Sequence, residues 1–247
     1  MDLCLGRLYV RWQLQLLIAP ARTTATFLVA VCVFVGCSEQ PLARRKSAIL
    51  SATDAAGDAA VIALVTHEPV CGASGRALAC TGTLVAPNLV LTAAHCLTGG
   101  PPSALDVVLG AEVATGERVR VVGGAPHPEY DEASHRNDVA VLVLERALEL
   151  TPDALASAPP AVDSTVRAVG YGARDVVGDE GGSRQEGTLR LDELGEDQLR
   201  LGPSPSMTCR GDSGGPIFDT SGALIGVTTW GDPACKEVGY AARVDRL

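Results

Sequence analysis

The stretch "TCRGDSGGP", residues 208 to 216, places a serine among glycines and beside an aspartate. Glycine at positions 211, 214 and 215 leaves the backbone around Ser213 without side-chain shielding, so its N–H groups can face a ligand. A nucleophilic serine requires that setting. Gly, Asp, Ser and Pro are also the commonest turn residues, so an ordinary polar turn is the alternative. The rest of the chain decides between the two interpretations.

A serine hydroxyl is a weak nucleophile at neutral pH and needs a neighbouring base. His95 in "VLTAAHC" follows an apolar strand pattern, and Asp138 in "HRNDVAVLVLE" stands at the start of an apolar run. A carboxylate there is costly unless a partner satisfies it. Each residue alone is more typical of a structural role, as a surface histidine or a strand-end cap. Together, His95, Asp138 and Ser213 are candidates for base, orienting acid and nucleophile.

The pentapeptide "GDSGG" also fits G-x-S-x-G, the nucleophile elbow of α/β-hydrolases. In those enzymes the histidine follows the serine along the chain. No histidine lies beyond His135, so Ser213 has no downstream base. The order of the three candidate residues therefore excludes an α/β-hydrolase.

Composition and patterning predict an exported or extracellular all-β protein rather than a nucleic-acid binder. The 247 residues are 47% hydrophobic and 20% charged, which is typical of a globular chain. A net charge of −9 and the lack of a basic stripe argue against nucleic acid as a partner. Short Val-rich runs bounded by Gly, Pro, Asn and Asp predict strands of a β-barrel or sandwich. The Gly- and acid-rich stretch 174–202 is predicted to be a mobile surface loop.

The first 37 residues have the pattern of a signal peptide. Basic residues precede an apolar run from Ala25 to Val35, which is too short to span a bilayer comfortably. Gly36-Cys37 followed by a polar segment is similar to a bacterial lipoprotein signal, in which Cys37 becomes the lipidated N-terminus. Ordinary cleavage of an exported chain is the alternative. Residues 38–48 are predicted to be a linker or propeptide, and residues 49–247 the folded domain.

The number and spacing of the cysteines are consistent with an exported protein. Five lie beyond the signal segment, at positions 71, 80, 96, 209 and 235, so at least one has no intramolecular partner. No C-x-x-C occurs, and "HC" at 95–96 is too close for a tetrahedral framework. Disulfides in an oxidising compartment are therefore predicted, with no metal and no cofactor.

The blocks "LTAAHC", "NDVAVLVL" and "CRGDSGGP" resemble, in that order, the three catalytic blocks of trypsin/chymotrypsin-type serine proteases, over roughly residues 49–247. The resemblance implies two six-stranded antiparallel β-barrels packed face to face. His95 and Asp138 then come from the first barrel and Ser213 from the second. In the triad mechanism of this family, Ser213 attacks a carbonyl, His95 moves the proton and Asp138 holds the imidazole tautomer. The N–H groups of Gly211 and Ser213 form the oxyanion hole.

The same resemblance implies further framework features. Cys80–Cys96 would staple the histidine loop, and Cys209–Cys235 would anchor the serine loop. Members of this family continue beyond the last strand into a C-terminal helix. This sequence ends at Leu247 without that helix, so either the helix is dispensable in this fold or the sequence is truncated.

By resemblance, Met207, six residues before the nucleophile, forms the floor of the primary specificity pocket, with Gly231 and Gly239 on its walls. Methionine offers a flexible apolar floor. The sequence therefore predicts cleavage after an uncharged apolar residue such as Leu, Met, Phe or Tyr. Asp232 would reverse this preference if its carboxylate reached the pocket.

Activation in this family uses a new N-terminal ammonium that pairs with the aspartate before the serine, here Asp212. The nearest matching start is Ile49 in "ILSA", which follows Ala48 rather than a basic residue. The basic run at 44–46 is equally consistent with a processing site and with a solvated linker.

Two hypotheses follow. The first is an exported serine endopeptidase that acts on proteins or peptides and is anchored to a bacterial membrane through lipidated Cys37. The second is a catalytically weak or inactive binding or regulatory lipoprotein on a protease scaffold, which the unusual activation segment and the missing helix suggest.

Overall fold

The structure is a computed structural model and describes residues 53–55, 57–67, 78–173 and 181–247. The segment ending at Cys37, the 38–48 linker, Ile49 and Cys71 lie outside these ranges. Within them, strands dominate, and the helices are two short 3-10 turns at Ala94–Leu97 and Pro102–Ala104. No helix in these ranges has the length and apolarity needed to cross a bilayer.

The first half of the chain forms a closed antiparallel barrel. After a short β1 (Thr53–Asp54), its strands are β2 (Val61–Thr66), β3 (Leu78–Ala86), β4 (Leu89–Thr92), β5 (Leu105–Leu109), β6 (Glu117–Pro126) and β7 (Ala140–Leu144). They are hydrogen-bonded in the order β2-β3-β4-β7-β6-β5. Ile62 and Leu64 of β2 pack inside this barrel with Leu84, Val107 and Leu142.

The second half closes into another six-stranded ring. Its strands are β8 (Thr165–Gly170), β9 (Gln185–Leu194), β10 (Gln198–Pro203), β11 (Pro216–Phe218), β12 (Leu224–Gly231) and β13 (Gly239–Arg243). The order is β8-β9-β10-β13-β12-β11, with β8 pairing with β11 and β9 so that the ring closes. β1 adds to one edge of β9.

The expected loop at 174–202 is wrong for residues 185–194 and 198–202, which belong to the paired strands β9 and β10. Leu189 and Leu191 are fully buried in the second barrel, as are Leu199 and Leu201 of the partner strand. Charged residues alternate with these leucines on the outer face, which is the period of two that a half-buried strand requires.

The two barrels pack against each other through a shared apolar cluster. Val61, Ala63 and Val65 of β2 point away from their own barrel and join Tyr171 and Phe218 of the second half. Because successive strand residues face opposite sides, β2 is buried on both faces and has a continuous apolar sequence. The predicted fold of two six-stranded barrels is confirmed.

Candidate active site

His95 and Asp138 meet because their flanking strands pair. β4 ends at Thr92, three residues before His95, and β7 begins at Ala140, two residues after Asp138; Thr92 and Ala140 are register partners. The Asp138 side chain is fully buried and that of His95 is 27% exposed. Asp138 Oδ2 lies 2.7 Å from His95 Nδ1, and Oδ1 accepts the backbone N–H of His95 at 2.8 Å. A proton on Nδ1 leaves Nε2 as a proton acceptor.

Ser213 lies on the loop that leads into β11, beside the histidine loop. Its carbonyl accepts the N–H of Thr81 at 2.8 Å and lies 3.9 Å from the sulfur of Cys96, the neighbour of His95. Its hydroxyl donates to the Thr229 carbonyl at 3.4 Å and makes no hydrogen bond with His95 in the described part of the chain. In apo enzymes such catalytic hydrogen bonds are often long or poorly aligned.

The backbone around Ser213 presents unused donors. Among the described residues, the N–H groups of Gly211 and Ser213 donate to no protein acceptor. The Arg210 carbonyl accepts the N–H of Ala173 at 2.7 Å. Gly211 has φ +93°, and a Cβ there would lie 2.8 Å from the Gly172 Cα, so only glycine fits. The two free N–H groups are the kind of donors that an oxyanion hole uses.

Asp212, between these two donors, is 1% exposed. Its carboxylate accepts the N–H of Gly172 and the N–H of Cys209, both at 2.9 Å. Burial raises the pKa of Asp212 to about 6, and the two N–H donors offset this only in part. The predicted ammonium partner at Ile49 lies outside the described residues.

Both disulfides implied by the family resemblance are present. Cys80–Cys96 joins β3 to the turn that carries His95, and its S–S distance is 2.00 Å. Cys209–Cys235 joins the serine loop to the segment between β12 and β13, with an S–S distance of 2.10 Å. The described residues also include one cluster of metal-ligating residue types, which consists of Cys80, His95 and Cys96. Because the two cysteines share a disulfide, neither offers a thiolate to a metal.

The three residues assigned to the specificity pocket lie together. Met207 is 1% exposed. A Cβ on Gly239 would lie 2.7 Å from Met207 Cε, and a Cβ on Gly231 would lie 3.4 Å from the Gly239 Cα. The Met207 side chain therefore lies against Gly239, and Gly231 lies next to Gly239 on the neighbouring strand.

Asp232 is bound within its own loop. Its Oδ1 accepts the N–H of Ala234 at 2.9 Å, and its Oδ2 accepts N–H groups of residues 236, 237 and 238 at 2.8 to 3.1 Å. Burial acts to raise its pKa, but these donors outweigh burial and lower the pKa of Asp232. The carboxylate is therefore satisfied as an anion inside the loop.

Sequence analysis missed several neighbours of the site. Trp230, 40% exposed, stacks on Tyr240 with ring centroids 4.2 Å apart and on His135 at 5.7 Å, which makes an aromatic shelf beside Gly231. Burial and then the charge of Asp138 raise the pKa of Tyr130 to about 12. The stretch "TTWG", residues 228–231, contains the shelf tryptophan and was the available sequence signal for it. Thr81, which bonds the serine loop, had no signal beyond its place next to a cysteine.

The comparisons with known proteins assign the chain to a class. The family model described as Trypsin matches residues 66–247. A trypsin of Saccharopolyspora erythraea is 34% identical over 186 residues, which is 67% of this chain and 82% of that protein. Brachyurin of Leptuca pugilator is 29% identical over 198 residues, with 68% of this chain and 82% of the relative covered. The chain belongs to the trypsin family of serine endopeptidases.

Other similarities cover a smaller part of the relative or show the fold alone. Human serine protease 56 is 33% identical over 189 residues, and the match spans 65% of this chain but 31% of that protein. The solved structure of neuropsin, a serine protease expressed in the limbic system of mouse brain, superposes with a TM-score of 0.65. It covers 77% of this chain and 91% of its own at 24% identity, which supports the two-barrel fold.

Proposed function

We propose that this chain is an exported serine endopeptidase that cleaves peptide bonds through an acyl-enzyme on Ser213. The observation that carries the proposal is the pairing of a partly exposed His95 with a fully buried Asp138, both of whose oxygens are hydrogen-bonded to that histidine. The serine loop lies beside the pair with two N–H donors free. Each group matches one role in the reaction.

In the proposed mechanism, Ser213 Oγ turns from the Thr229 carbonyl and attacks the peptide carbonyl carbon while His95 Nε2 accepts the hydroxyl proton. The N–H groups of Gly211 and Ser213 bind the oxygen of the tetrahedral intermediate. His95 then delivers the proton to the leaving amine, and the C–N bond breaks to leave an ester on Ser213. A water molecule then attacks this ester by the same steps, which releases the carboxylic acid product and restores the serine hydroxyl. Asp138 stabilises the imidazolium in both halves.

Covalent labelling tests the proposed function. We expect a fluorophosphonate probe to modify one site per folded chain, mapped to Ser213 by peptide mass spectrometry, and Ser213→Ala to abolish the modification. The probe reacts with serines that a base activates, so surface serines such as Ser134 serve as internal controls. A folded wild-type chain that takes up no probe would favour the binding or regulatory protein instead.

Substrate preference is proposed from the pocket. Met207 forms an apolar floor, and the Asp232 carboxylate is already held by four backbone N–H groups. An Arg or Lys side chain would bury its charge without a counter-ion, which costs several kcal/mol. We therefore expect kcat/KM for Leu, Met, Phe or Tyr before the cut bond to exceed that for Arg or Lys by at least about a hundredfold.

A peptide library read by mass spectrometry measures this preference. Met207→Asp is the informative variant, because it places a carboxylate on the proposed floor and should shift cleavage toward Arg and Lys. A wild-type profile dominated by basic residues would contradict the assignment of Met207, or would show that Asp232 leaves its loop.

Two further proposals concern the chain before the described residues. Lipidation of Cys37 would anchor the protein to a membrane, and a new N-terminus at Ile49 would place an ammonium next to Asp212. Cleavage before Ile49 removes Cys37 from the protease chain. Mass spectrometry of the N-terminus in the membrane and soluble fractions tests each proposal separately: a membrane-fraction chain that does not begin at a lipidated Cys37 would contradict the anchor, and an active chain that begins at a residue other than Ile49 would contradict the activation site.

A further inference from the structure

Thr81 of the first barrel bonds to both residues that supply the proposed oxyanion donors. Its side chain is fully buried. Its N–H donates to the Ser213 carbonyl at 2.8 Å, and its hydroxyl Oγ1 donates to the Gly211 carbonyl at 2.8 Å. The hydroxyl also accepts the N–H of Tyr171 at 3.1 Å, so its orientation is fixed from both sides.

Strand register explains why Thr81 is available for this contact. β3 pairs with β2 along one edge, where Thr81 lies opposite Ala63, and with β4 along the other. Because β4 ends at Thr92, the second edge of β3 is open at Thr81, and the serine loop occupies it. Gly214 fits against this edge: a Cβ there would lie 2.1 Å from Thr92 Oγ1 and 2.3 Å from the Thr81 carbonyl.

Four consecutive peptide units run from Arg210 to Gly214, and each has one carbonyl contact. The 210–211 and 212–213 units carry the two oxyanion donors, and the 211–212 unit joins them. The Arg210 carbonyl accepts the N–H of Ala173, and the Asp212 carbonyl accepts the N–H of Gly215 at 2.8 Å. The Ser213 carbonyl accepts the Thr81 N–H. The Gly211 carbonyl is held by the Thr81 hydroxyl, the one side chain among these four contacts. Since a peptide unit is planar, fixing each carbonyl fixes the N–H of the same unit.

We propose that the Thr81 hydroxyl is a positioning residue: it holds the carbonyl of the 211–212 unit, which joins the two donor units, and so keeps Gly211 at φ +93° with both N–H donors directed at one substrate oxygen. This inference rests on the proposed function. Without the hydroxyl bond, the 211–212 unit keeps the hydrogen bond from the Asp212 N–H to the Cys209 carbonyl at 3.1 Å, but its carbonyl can tilt about the flexible glycine and the two donors lose their alignment. The contribution is to the transition state rather than to substrate binding, because negative charge develops on the oxygen only as the tetrahedral intermediate forms.

The experiment compares Thr81→Val, which keeps the shape but removes the hydroxyl, with Thr81→Ser, which keeps the hydroxyl. Thr83→Val is the matched control: Thr83 lies two residues on in the same strand, is buried, and its hydroxyl has no partner in the described structure. Activity is normalised to the active fraction by fluorophosphonate titration. Partly folded samples therefore remain interpretable.

For Thr81→Val we expect kcat to fall about tenfold, the usual weight of one buried hydrogen bond, with KM within about twofold of wild type. Affinity for a peptide boronic acid, whose tetrahedral adduct places an oxygen in the hole, should fall by the same factor. Thr81→Ser should restore both values, and Thr83→Val should change neither.

A Thr81→Val enzyme that melts earlier but keeps wild-type kcat and boronate affinity would overturn the inference, because the hydroxyl would then serve folding alone. Failure of Thr81→Ser to rescue would overturn it too. If Thr81→Val does not fold, Thr81→Ala is measured in its place against the same expectations. A wild-type chain that fails to react with fluorophosphonate would instead refute the proposed function.

Discussion

Replacement of His95 by alanine is expected to lower kcat about a millionfold, the loss seen when a triad loses its base. Without the imidazole, the Ser213 proton has no base to accept it, since the hydrogen bond of the serine hydroxyl in the described part of the chain is to the Thr229 carbonyl, which is not a base at neutral pH. The buried Asp138 also loses the ring contact at Oδ2, although Oδ1 keeps the backbone N–H of residue 95. Steady-state hydrolysis of a peptide ester, normalised to folded protein, measures the loss.

The first barrel supplies a matched control. His67 Nε2 lies 2.6 Å from Asp106 Oδ1, and its side chain is 27% exposed, as is that of His95. The two pairs share chemistry and exposure but differ in their relation to the serine loop. His67→Ala should therefore change kcat by less than about tenfold. Comparable losses in both variants, or more than about a hundredth of wild-type activity in His95→Ala, would contradict the assignment of the base.

The second large effect is expected for Asp138→Asn, which should lower kcat about ten-thousandfold. Asp138 Oδ1 already accepts the backbone N–H of His95, so an asparagine in the same rotamer keeps its carbonyl oxygen there. Its amide nitrogen then faces Nδ1 and donates to it. The imidazole proton moves to Nε2, where it blocks acceptance of the Ser213 proton.

Asp106→Asn repeats the same chemical change in the His67 pair and should leave kcat within about tenfold of wild type. Nitrogen-15 NMR of labelled imidazole provides a second readout, because it reports which ring nitrogen carries the proton. Wild-type activity in Asp138→Asn, or a proton still on Nδ1, would show that Asp138 does not set the tautomer.

The candidate triad was accessible from the sequence because the residues that do the chemistry are embedded in local patterns. Ser213 needs bare backbone on both sides, which forces glycines into the chain. His95 and Asp138 stand where apolar strands end or begin, so burial pattern and chemistry coincide. The alternating leucines at 189, 191, 199 and 201 carried an equally local signal for two strands. The high glycine and acidic content of the wider stretch 174–202 instead led to the prediction of a loop.

Features set by hydrogen bonds to the backbone were not accessible from the sequence, whether the partners are distant or local along the chain. The role of Thr81 depends on β4 ending at Thr92 and on a loop 130 residues away occupying the open strand edge. The sequence places Asp232 near the pocket, but only folded geometry shows that four neighbouring N–H groups bind its carboxylate. Both cases involve backbone donors and acceptors, which every residue has and which therefore leave no trace in residue type.

The contact between the open edge of β3 and the serine loop makes the candidate site a joint property of both barrels. Residues 145–164 connect β7 to β8 and contribute no residue to the candidate site. His95, Asp138 and Thr81 lie before this connection, and Ser213 lies after it. If the chain were divided into two polypeptides within this connection, we expect neither to hydrolyse substrate alone. Hydrolysis would appear only when the two polypeptides reassociate. The rate of hydrolysis by such a pair would therefore measure the association of the two complementary fragments, as in a split-enzyme reporter.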